Sequence, residues 1–299
     1  MTSVSGLVDR GVLVADLPLG PLTTYKSGGP ARWYAEIADR ATLEELIESG
    51  ITTSHPLLVV GRGSNLVVSD QGFDGLVIRL GTGFTGIETV GVTVTAGGAT
   101  PLPRLARAAV EAGIAGLEFF VGVPGSVGGA VRQNAGCFGT ETKDRLVRAE
   151  IIDLTTGASR DGTPDTLDLG YRHSNLVASN LVVGAVFAGS PGDPAPGSEE
   201  MRKITRWRRD HQPGGTLNAG SVFKNPPGEP AGALIDRLGL KGTRVGEVAV
   251  SDKHANFFVA GPEATSEDIL RLVDKVKDAV FEMTGTKLET EIQFVGFER

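Results

Sequence analysis

The sequence is poor in the residues that build disulfides and zinc sites. Its 299 residues include one cysteine, Cys137, and four histidines. A single cysteine excludes an intramolecular disulfide and any zinc site made of several cysteines, and it fits a reducing compartment. We therefore expect no bound metal. The length suits about two domains of roughly 100–200 residues each, so the fold can depend on ordinary apolar cores.

Long apolar runs and an excess of positive charge are also absent. The longest uncharged stretch, residues 173–192, is interrupted by Ser, Asn and Gly and lacks the roughly 20 mainly apolar residues of a membrane span. Asp9, Arg10 and Asp16 stand where an export signal needs apolar residues. The net charge of −7 argues against nucleic-acid binding, which depends on neutralising phosphates. We expect a soluble, cytoplasmic protein, a monomer or weak oligomer, with no membrane or nucleic-acid partner.

Glycine is abundant where these other residues are scarce. The chain has 42 glycines in 299 residues, about twice the usual share of roughly 7%, and 18 of them fall within the 79 positions 61–139. The absence of a Gly-X-Y repeat excludes collagen, and an apolar content of 40% excludes a disordered linker. An ordered domain so rich in glycine is expected to bring its backbone close to a ligand.

Apolar periodicity and turn residues predict strands and helices mixed along the chain, which indicates an α+β or α/β class in two or three parts. Residues 121–139 are expected to be irregular, and residues 190–197 to form a linker or long turn. We predict helices that follow Thr42 (a capping box with Glu45), Thr100 and Ser198, helices at 231–238 and 266–283, and strands at 31–37, 57–60, 66–68, 76–80, 92–96, 149–154 and 290–294.

The glycine clusters fail the tests for common motifs. A strand leads into Gly61 and Gly63, but Leu66 stands where a dinucleotide fingerprint has its third glycine, and no helix pattern follows. No Walker motif, G-x-x-x-x-G-K-[ST], occurs in the sequence. Ser126 lies in a segment like the nucleophile elbow of serine hydrolases, but Pro124 replaces the first glycine of the elbow and no His–Asp pair accompanies it.

Two separated glycine-rich loops remain, residues 61–65 and 122–129. Backbone amides in such loops bind phosphate oxygens without cationic side chains, and two loops suit a diphosphate. The alternative is that the glycines serve tight turns. We favour turns for the scattered Gly81, Gly83 and Gly86, whereas four glycines within residues 122–129 indicate ligand binding.

Several motifs in the same order resemble the UDP-N-acetylenolpyruvoylglucosamine reductase (MurB) family, within the larger set of FAD enzymes related to vanillyl-alcohol oxidase. The resemblance runs from about residue 20 to 296. The motifs are Thr24–Gly29, Val60–Leu66, Gly116–Phe119 with Gly122–Ala130, Gly170–Ser174, Asn218–Pro226, His254–Phe257 and Leu288–Ile292. Each is weak alone, but their order is specific.

The resemblance implies a vanillyl-alcohol-oxidase-type FAD-binding domain with two α/β subdomains, followed by a smaller α+β substrate-binding domain. We expect the first domain at residues 1–195, with a subdomain boundary near 55, and the second at 196–299. The last strand is a candidate to return to the first domain.

The resemblance also implies a reaction: NADPH reduces FAD, and the flavin then reduces the enolpyruvyl ether of UDP-N-acetylglucosamine to UDP-N-acetylmuramate, for peptidoglycan synthesis. Hydride addition to the terminal vinyl carbon leaves negative charge at the α-carbon, so the site needs a group that stabilises this charge and a proton donor. By resemblance, Arg172 holds the substrate carboxylate, Ser221 donates the proton, and Glu291 is the catalytic glutamate. Glu291 helps only if protonated, so we expect a raised pKa for its carboxyl group.

The other site residues also follow from the resemblance. Lys224, Asn225, His211 and His254 are the candidate substrate-binding residues. FAD-binding candidates are Tyr25, Gly61, Arg62, Gly63, Ser64, Asn65, Leu66, Gly122, Val123, Pro124, Gly125, Ser126, Gly128, Gly129 and Ala130.

Some assignments stay open on the sequence alone. Glu289 and Glu291 share one face of an extended strand, so their spacing does not distinguish them. His211 stands where the family often has a lysine. His254 and Asn256 suit either the sugar site or the protein core. Taken singly, a lone arginine is usually a surface residue and a serine after glycine usually serves a turn.

Only 49 positions separate Arg172 from Ser221, too few for the capping insertion of the longer family form, so the chain resembles the shorter type II form. Two alternative functions remain. One is another FAD-dependent oxidase or dehydrogenase of the superfamily. The other is a non-catalytic flavoprotein that binds nucleotide sugars, although such a protein has no need of Arg172, Ser221 and Glu291 together.

Overall fold

A computed structural model describes residues 3–297, which form two compact units. The first unit contains residues 3–15, 33–61 and 74–207, and the second contains 16–32, 62–73 and 208–297. The units are thus interleaved in sequence, whereas the predicted domains are continuous. The assignment of FAD and substrate to sequence domains stays a prediction.

The helices and strands alternate irregularly along the chain, in agreement with the expected α+β class. The helices are α1 Val4–Asp9, α2 Arg40–Glu48, α3 Ile51–Ser54, α4 Leu102–Glu111, α5 Val127–Gln133, α6 Pro194–His211, α7 Ala231–Arg237 and α8 Ser266–Thr284. The strands are β1 Leu13–Pro18, β2 Pro30–Ile37, β3 Leu57–Val59, β4 Leu66–Val68, β5 Phe73–Leu80, β6 Ile87–Val90, β7 Thr93–Gly97, β8 Ile114–Ala115, β9 Gly136–Cys137, β10 Thr140–Glu141, β11 Leu146–Asp153, β12 Ser159–Gly162, β13 Asn180–Ala188, β14 Ser190–Pro191, β15 Arg244–Val245, β16 Val248–Val250, β17 Phe258–Ala260 and β18 Gln293–Val295. Among residues 3–297, no helix is long and apolar enough to cross a membrane.

The first unit is built on two sheets. One has the strand order β1-β2-β5-β3, and the other, β12-β11-β13-β7-β6, is antiparallel throughout. Neighbouring residues of β13 enter different cores, because successive side chains of a strand point to opposite faces. Val182 belongs to one core, whereas Leu181 and Val183 belong to the other. This double burial explains the continuous apolar run of β13.

The second unit has one core, built around α8. The apolar positions Ile269, Leu272, Val273, Val276 and Val280 follow helical spacing and are all buried. The unit also contains the antiparallel sheet β15-β16-β17 and the parallel pair β18 and β4. The C-terminal strand therefore pairs with a strand from residues 62–73.

Several predicted elements are confirmed, but the starts of three helices are wrong. Asp39, not Thr42, caps α2, and Thr42 N donates to Asp39 Oδ1 at 2.8 Å. Pro101 precedes α4, and Thr100 Oγ1 donates to Gly86 O instead. The helix predicted to follow Ser198 begins at Pro194, because prolines are tolerated in the first turn of a helix.

The prediction of an irregular segment at 121–139 is wrong in one important part. Residues 127–133 form α5, with Ser126 as its N-cap residue. The helix has only seven residues and two adjacent glycines, so it has no amphipathic pattern to detect. As a result, the second glycine-rich loop leads directly into a helix.

We predict that Asp70 stabilises the second unit through the start of α8. Its Oδ1 accepts from Ser266 N and its Oδ2 from Glu267 N, both at 3.0 Å. A carboxylate at a helix N-terminus satisfies amides without intrahelical partners and interacts favourably with the helix dipole. Asp70→Ala should lower the free energy of urea-induced unfolding by about 1–2 kcal/mol. The matched control is Glu263→Ala, which removes an exposed carboxylate just before α8. Equal losses in both variants would contradict the prediction.

Candidate active site

The two glycine-rich segments predicted to bind FAD meet in the first unit. A Cβ atom added to Gly61 would lie 2.6 Å from Ser126 Oγ, which no real side chain tolerates without movement. Only glycine therefore allows this approach of the chain after β3 to the chain before α5. The proximity of these segments supports one shared ligand.

The loop before α5 has backbone amides that suit an anionic ligand. Val127 N and Gly128 N donate to carbonyl oxygens of the protein at 2.9 and 2.8 Å. Within residues 3–297, however, no backbone carbonyl is recorded as accepting from the amides of Gly125 and Ser126. These two amides therefore fit a bound group that accepts hydrogen bonds. A diphosphate is such a group.

The rest of the first glycine-rich loop lies in the second unit, where it has structural contacts. Gly63 has a φ of 62°, and a Cβ atom there would lie 2.0 Å from Leu22 O, so packing alone requires glycine. Asn65 Nδ2 donates to Glu291 O at 3.0 Å, and Asn65 O accepts from Gln293 N at 2.9 Å. The end of this loop is thus bonded to the C-terminal segment that carries the predicted catalytic glutamate.

Tyr25 lies in the apolar core of the second unit. Its side chain is fully buried, and its hydroxyl donates to Phe258 O at 3.2 Å. Burial raises the pKa of this hydroxyl well above its usual range. Packing accounts for the position of the Tyr25 side chain, and its role in FAD binding stays a prediction.

Arg172 occupies a tight turn in the first unit. Gly170 and His173 exchange two backbone hydrogen bonds of 3.2 Å, and Asn134 Nδ2 donates to Gly170 O at 2.8 Å. Arg172 has a φ of 51°, in the left-handed region that residues other than glycine rarely adopt. Such a backbone persists where its surroundings enforce it, and functional sites are a common location.

The guanidinium of Arg172 is ordered by the hairpin of β9 and β10. Its Nη2 donates to Gly136 O at 3.0 Å, and its Nη1 lies 3.5 Å from Glu141 Oε1. The Arg172 side chain is 17% exposed, and its Cζ lies 5.0 Å from the centroid of the Tyr171 ring. The alternative of a solvated surface arginine therefore does not hold. A fixed planar guanidinium is suited to binding a carboxylate through two parallel hydrogen bonds.

In the second unit, the extended segment 221–224 is hydrogen-bonded on both sides. Val222 N donates to Asn256 O at 2.8 Å, and Val222 O accepts from Glu291 N, also at 2.8 Å. Ser221 begins this segment and is half-buried. The structure therefore brings the predicted proton donor and the predicted catalytic glutamate onto neighbouring backbone segments.

The environments of the two candidate glutamates differ. Glu289 Oε2 lies 3.5 Å from Lys224 Nζ, and the Glu289 side chain is 77% exposed. Glu291 is half-buried, and its backbone is bonded beside Ser221. Glu289 is thus an exposed residue beside Lys224, whereas Glu291 lies on a segment bonded to the one that Ser221 begins, and its role as the catalytic acid stays a prediction.

Asn256 is a core residue with a structural function. Its Oδ1 accepts from Phe223 N at 2.9 Å, and its Nδ2 donates to Phe223 O at 2.8 Å. Asn256 is 3% exposed, and its side-chain amide satisfies a backbone that has no strand beside it at this position. Of the two readings left open for Asn256, the structure supports the core.

His254 is half-buried next to Asn256. Its Nδ1 accepts from Asn256 N at 3.2 Å, so the neutral ring carries its proton on Nε2. Burial lowers the pKa of the His254 imidazole, and the positive charges of Lys241 and His211 lower it further, whereas Asp236 opposes them. A neutral donor is therefore available at neutral pH.

The other two substrate candidates also lie in the second unit. Asn225 Oδ1 accepts from Ala231 N at 3.0 Å, which satisfies the first residue of α7. His211 is the last residue of α6 and is exposed. Neither position excludes substrate binding, and both roles stay predictions.

Two residues that contribute to the site were missed by the sequence analysis. Asn134 contacts the turn of Arg172 and lies in the segment 121–139 that was predicted to be irregular, whereas Glu141 contacts the Arg172 guanidinium and lies just after that segment. Two general signals were available in the sequence. An asparagine is often the left-handed residue that ends a helix, as Asn134 is here. A short hairpin brings its two ends together, as β9 and β10 do here.

A groove of about 520 Å³ lies elsewhere in the first unit, between the end of α4 and the start of α6. Its polar lining is mostly acidic, with Glu118, Asp193, Glu199, Glu200 and Lys203. It contains none of the predicted site residues, and its negative charge disfavours an anionic ligand.

Comparison with protein families gives two matches in this chain. Residues 31–161 match the FAD binding domain model, and residues 212–295 match the C-terminal domain of UDP-N-acetylenolpyruvoylglucosamine reductase.

Known proteins resemble the chain over nearly its whole length. It is 42% identical over 290 residues to the UDP-N-acetylenolpyruvoylglucosamine reductase of Parvibaculum lavamentivorans, covering 97% of this chain and 93% of that protein. It is similar to the crystal structure of MurB from Thermus caldophilus, with a TM-score of 0.80, 36% identity, and coverage of 95% and 98%. The chain also resembles a structure of a Phl p 4 variant described as a glucose oxidase, with a TM-score of 0.50, 12% identity, and coverage of 96% of this chain and 64% of that one. At this identity the likeness shows a shared fold alone.

We predict that His254 makes the stability of the second unit depend on pH. The folded pKa is lowered, so near pH 6 the folded state binds fewer protons than the unfolded state. The free energy of unfolding should fall as the pH falls from above about 6.5 through the folded pKa. His254→Gln should reduce this loss, as measured by urea unfolding between pH 7 and pH 5.

The control for this prediction is His173→Gln, because the His173 side chain is 56% exposed. This variant should lose as much stability as the wild type over the same pH range. A steep loss that persists in His254→Gln would contradict the prediction.

Proposed function

The chain belongs to the UDP-N-acetylenolpyruvoylglucosamine reductase family and is an FAD-dependent oxidoreductase, and we propose that it reduces the enolpyruvyl ether of UDP-N-acetylglucosamine to UDP-N-acetylmuramate. The observation that supports this proposal is that Glu291 N donates to Val222 O at 2.8 Å, so the segment that begins at Ser221 and the segment that carries Glu291 are hydrogen-bonded neighbours. We further propose NADPH as the reductant, a cytoplasmic location, and a role in peptidoglycan synthesis, and hence in cell shape and division.

Residues of both glycine-rich loops would hold FAD. The amides of Gly125 and Ser126 fit the diphosphate, and the close approach at Gly61 explains why a side chain is not tolerated there. The chemistry that FAD would supply when bound is transfer of a hydride, taken up from NADPH, to the terminal vinyl carbon. The protein contributes binding, orientation and electrostatics.

Arg172 is proposed to bind the carboxylate of the substrate. Addition of hydride to the vinyl group creates negative charge at the α-carbon, which spreads into this carboxylate. A permanently charged guanidinium that is already oriented stabilises the developing charge without reorganisation. The turn and the hairpin contacts of Arg172 provide that orientation.

Ser221 is proposed to complete the reaction. Its O–H bond breaks as the α-carbon gains a proton, and the resulting alkoxide takes a proton back from solvent. An alcohol is a weak acid, so this step needs a strongly basic carbanion and a nearby positive group. Lys224, three residues along the same segment, is the candidate for that group.

Glu291 is proposed to act in its protonated form, as a hydrogen-bond donor to the developing charge. A carboxylate there would oppose the charge, so the pKa of Glu291 has to be raised in the working enzyme. For substrate binding, we propose Lys224, Asn225, His211 and His254 around the nucleotide diphosphate and sugar. These are donors or cations, as an anionic ligand requires.

An anaerobic absorbance experiment tests the proposed reaction. The purified protein should contain a yellow flavin that NADPH bleaches, and the enolpyruvyl ether should restore the colour. UDP-N-acetylglucosamine lacks the vinyl group and is the matched control, which should leave the flavin bleached.

The alternatives give different outcomes in the same experiment. Restoration by an unrelated oxidant but not by the enolpyruvyl ether would indicate a different flavin oxidoreductase. Binding of the ether with no colour change would indicate a nucleotide-sugar-binding flavoprotein. Either result would contradict the proposed reaction.

A further inference from the structure

Glu141 has both carboxylate oxygens engaged beside Arg172. Its Oε1 lies 3.5 Å from Arg172 Nη1. Its Oε2 accepts from Asn134 Nδ2 at 3.0 Å and lies 3.3 Å from Lys143 Nζ. The Glu141 side chain is 20% exposed, so these contacts are partly shielded from solvent. The carboxylate is thus fixed in orientation on one side while it faces Arg172 on the other.

Asn134 links Glu141 to the turn that carries Arg172. It is fully buried at the C-terminus of α5, with a φ of 43°. Its Nδ2 donates both to Glu141 Oε2 and to Gly170 O, while its Oδ1 accepts from Lys143 N at 2.9 Å. One side-chain amide therefore connects the helix end, the β9–β10 hairpin and the turn.

Glu141 faces two positive side chains, those of Arg172 and Lys143, and a second carboxylate lies close by, because Asp144 Oδ2 accepts from Glu141 N at 2.8 Å. The part that Glu141 can play toward Arg172 is therefore one of orientation. With Nη1 directed at Glu141 and Nη2 at Gly136 O, two contacts set the plane of the guanidinium.

We propose that Glu141 is a positioning residue, whose carboxylate, oriented by Asn134, holds the Arg172 guanidinium in the plane needed to bind the substrate carboxylate. This inference rests on the proposed function of Arg172. A preorganised guanidinium loses less conformational freedom when the ligand binds. Glu141 itself need not touch the substrate.

Binding measurements on the oxidised protein without NADPH test this inference, because no turnover occurs. Titration calorimetry would give the dissociation constants of the enolpyruvyl ether and of UDP-N-acetylglucosamine, which lacks the carboxylate. Glu141→Gln keeps the size of the side chain and an acceptor for Asn134, but it removes the charge facing Arg172. We expect binding of the ether to weaken about tenfold and that of UDP-N-acetylglucosamine to change less than about twofold.

The control is Glu199→Gln, which removes another carboxylate paired with an arginine of the first unit, Arg202 at 2.8 Å. It should leave both dissociation constants unchanged. If Glu141→Gln fails to fold, Glu141→Asp is the second variant, because it keeps the charge on a shorter side chain. It should lose part of the preference for the ether over UDP-N-acetylglucosamine. The inference would be overturned if a folded Glu141 variant prefers the enolpyruvyl ether over UDP-N-acetylglucosamine by the same factor as the wild type does.

A double variant separates positioning from a general structural role. In an Arg172→Lys background, Glu141→Gln should cause little further loss of ether binding, because the guanidinium it positions is gone. Fully additive losses would overturn the inference. If the wild type binds the enolpyruvyl ether and UDP-N-acetylglucosamine equally, the proposed function is overturned as well. If the wild type prefers the ether and Glu141→Gln keeps that preference, only the role of Glu141 is overturned.

Discussion

The short segment 221–224 has to find hydrogen-bond partners on two sides, and much of the second unit is arranged to supply them. Phe223 is almost fully buried, and its N–H and C=O both pair with the side chain of Asn256. Each of these groups would cost about 1–3 kcal/mol if left buried and unpaired. On the other side, Val222 accepts from Glu291, which in turn is held by Asn65. The segments that carry the proposed proton donor and the proposed acid, and the end of the first glycine-rich loop, thus share one hydrogen-bond network.

A buried asparagine plays the corresponding part in the first unit. Asn134 satisfies the backbone at Gly170 and orients Glu141, so it supports the turn of Arg172 from two directions. In both units, a side-chain amide forms hydrogen bonds with backbone groups that a neighbouring strand would otherwise pair, at a point where the chain leaves regular structure. Such an amide satisfies a donor and an acceptor at once. Each asparagine holds a reactive side chain at a defined backbone position without a long strand around it.

Much of the fold could be predicted from local sequence patterns. The apolar spacing of α8 predicted nearly its full length, and the strand at 66–68 was predicted with its observed ends. The interleaving of the units could not be predicted, because it depends on the pairing of β18 with β4 across more than half the chain. The helix α5 was missed because seven residues with two glycines carry no periodic signal.

The candidate site, like the fold, could be predicted from the sequence only in part. Motif order predicted which residues have chemical roles. It did not show that Tyr25 is buried, and it did not distinguish Asn256 in the core from Asn256 in a sugar site. Those distinctions depend on which side chains a residue meets in three dimensions. Glu141 was likewise missed because its partner, Arg172, is distant in sequence.

The most direct test concerns Ser221, the proposed proton donor, whose segment is hydrogen-bonded to that of Glu291 through Val222. The measurement is anaerobic single-turnover kinetics of Ser221→Ala, with flavin reduction by NADPH and reoxidation by the enolpyruvyl ether followed separately. We expect NADPH to reduce the flavin of the variant at a rate within about twofold of the wild type. We expect reoxidation of the flavin by the ether to be slowed by at least about 100-fold, as on removal of a general acid. Unimpaired reoxidation would contradict Ser221 as the proton donor, and loss of both half-reactions would place Ser221 in FAD binding instead.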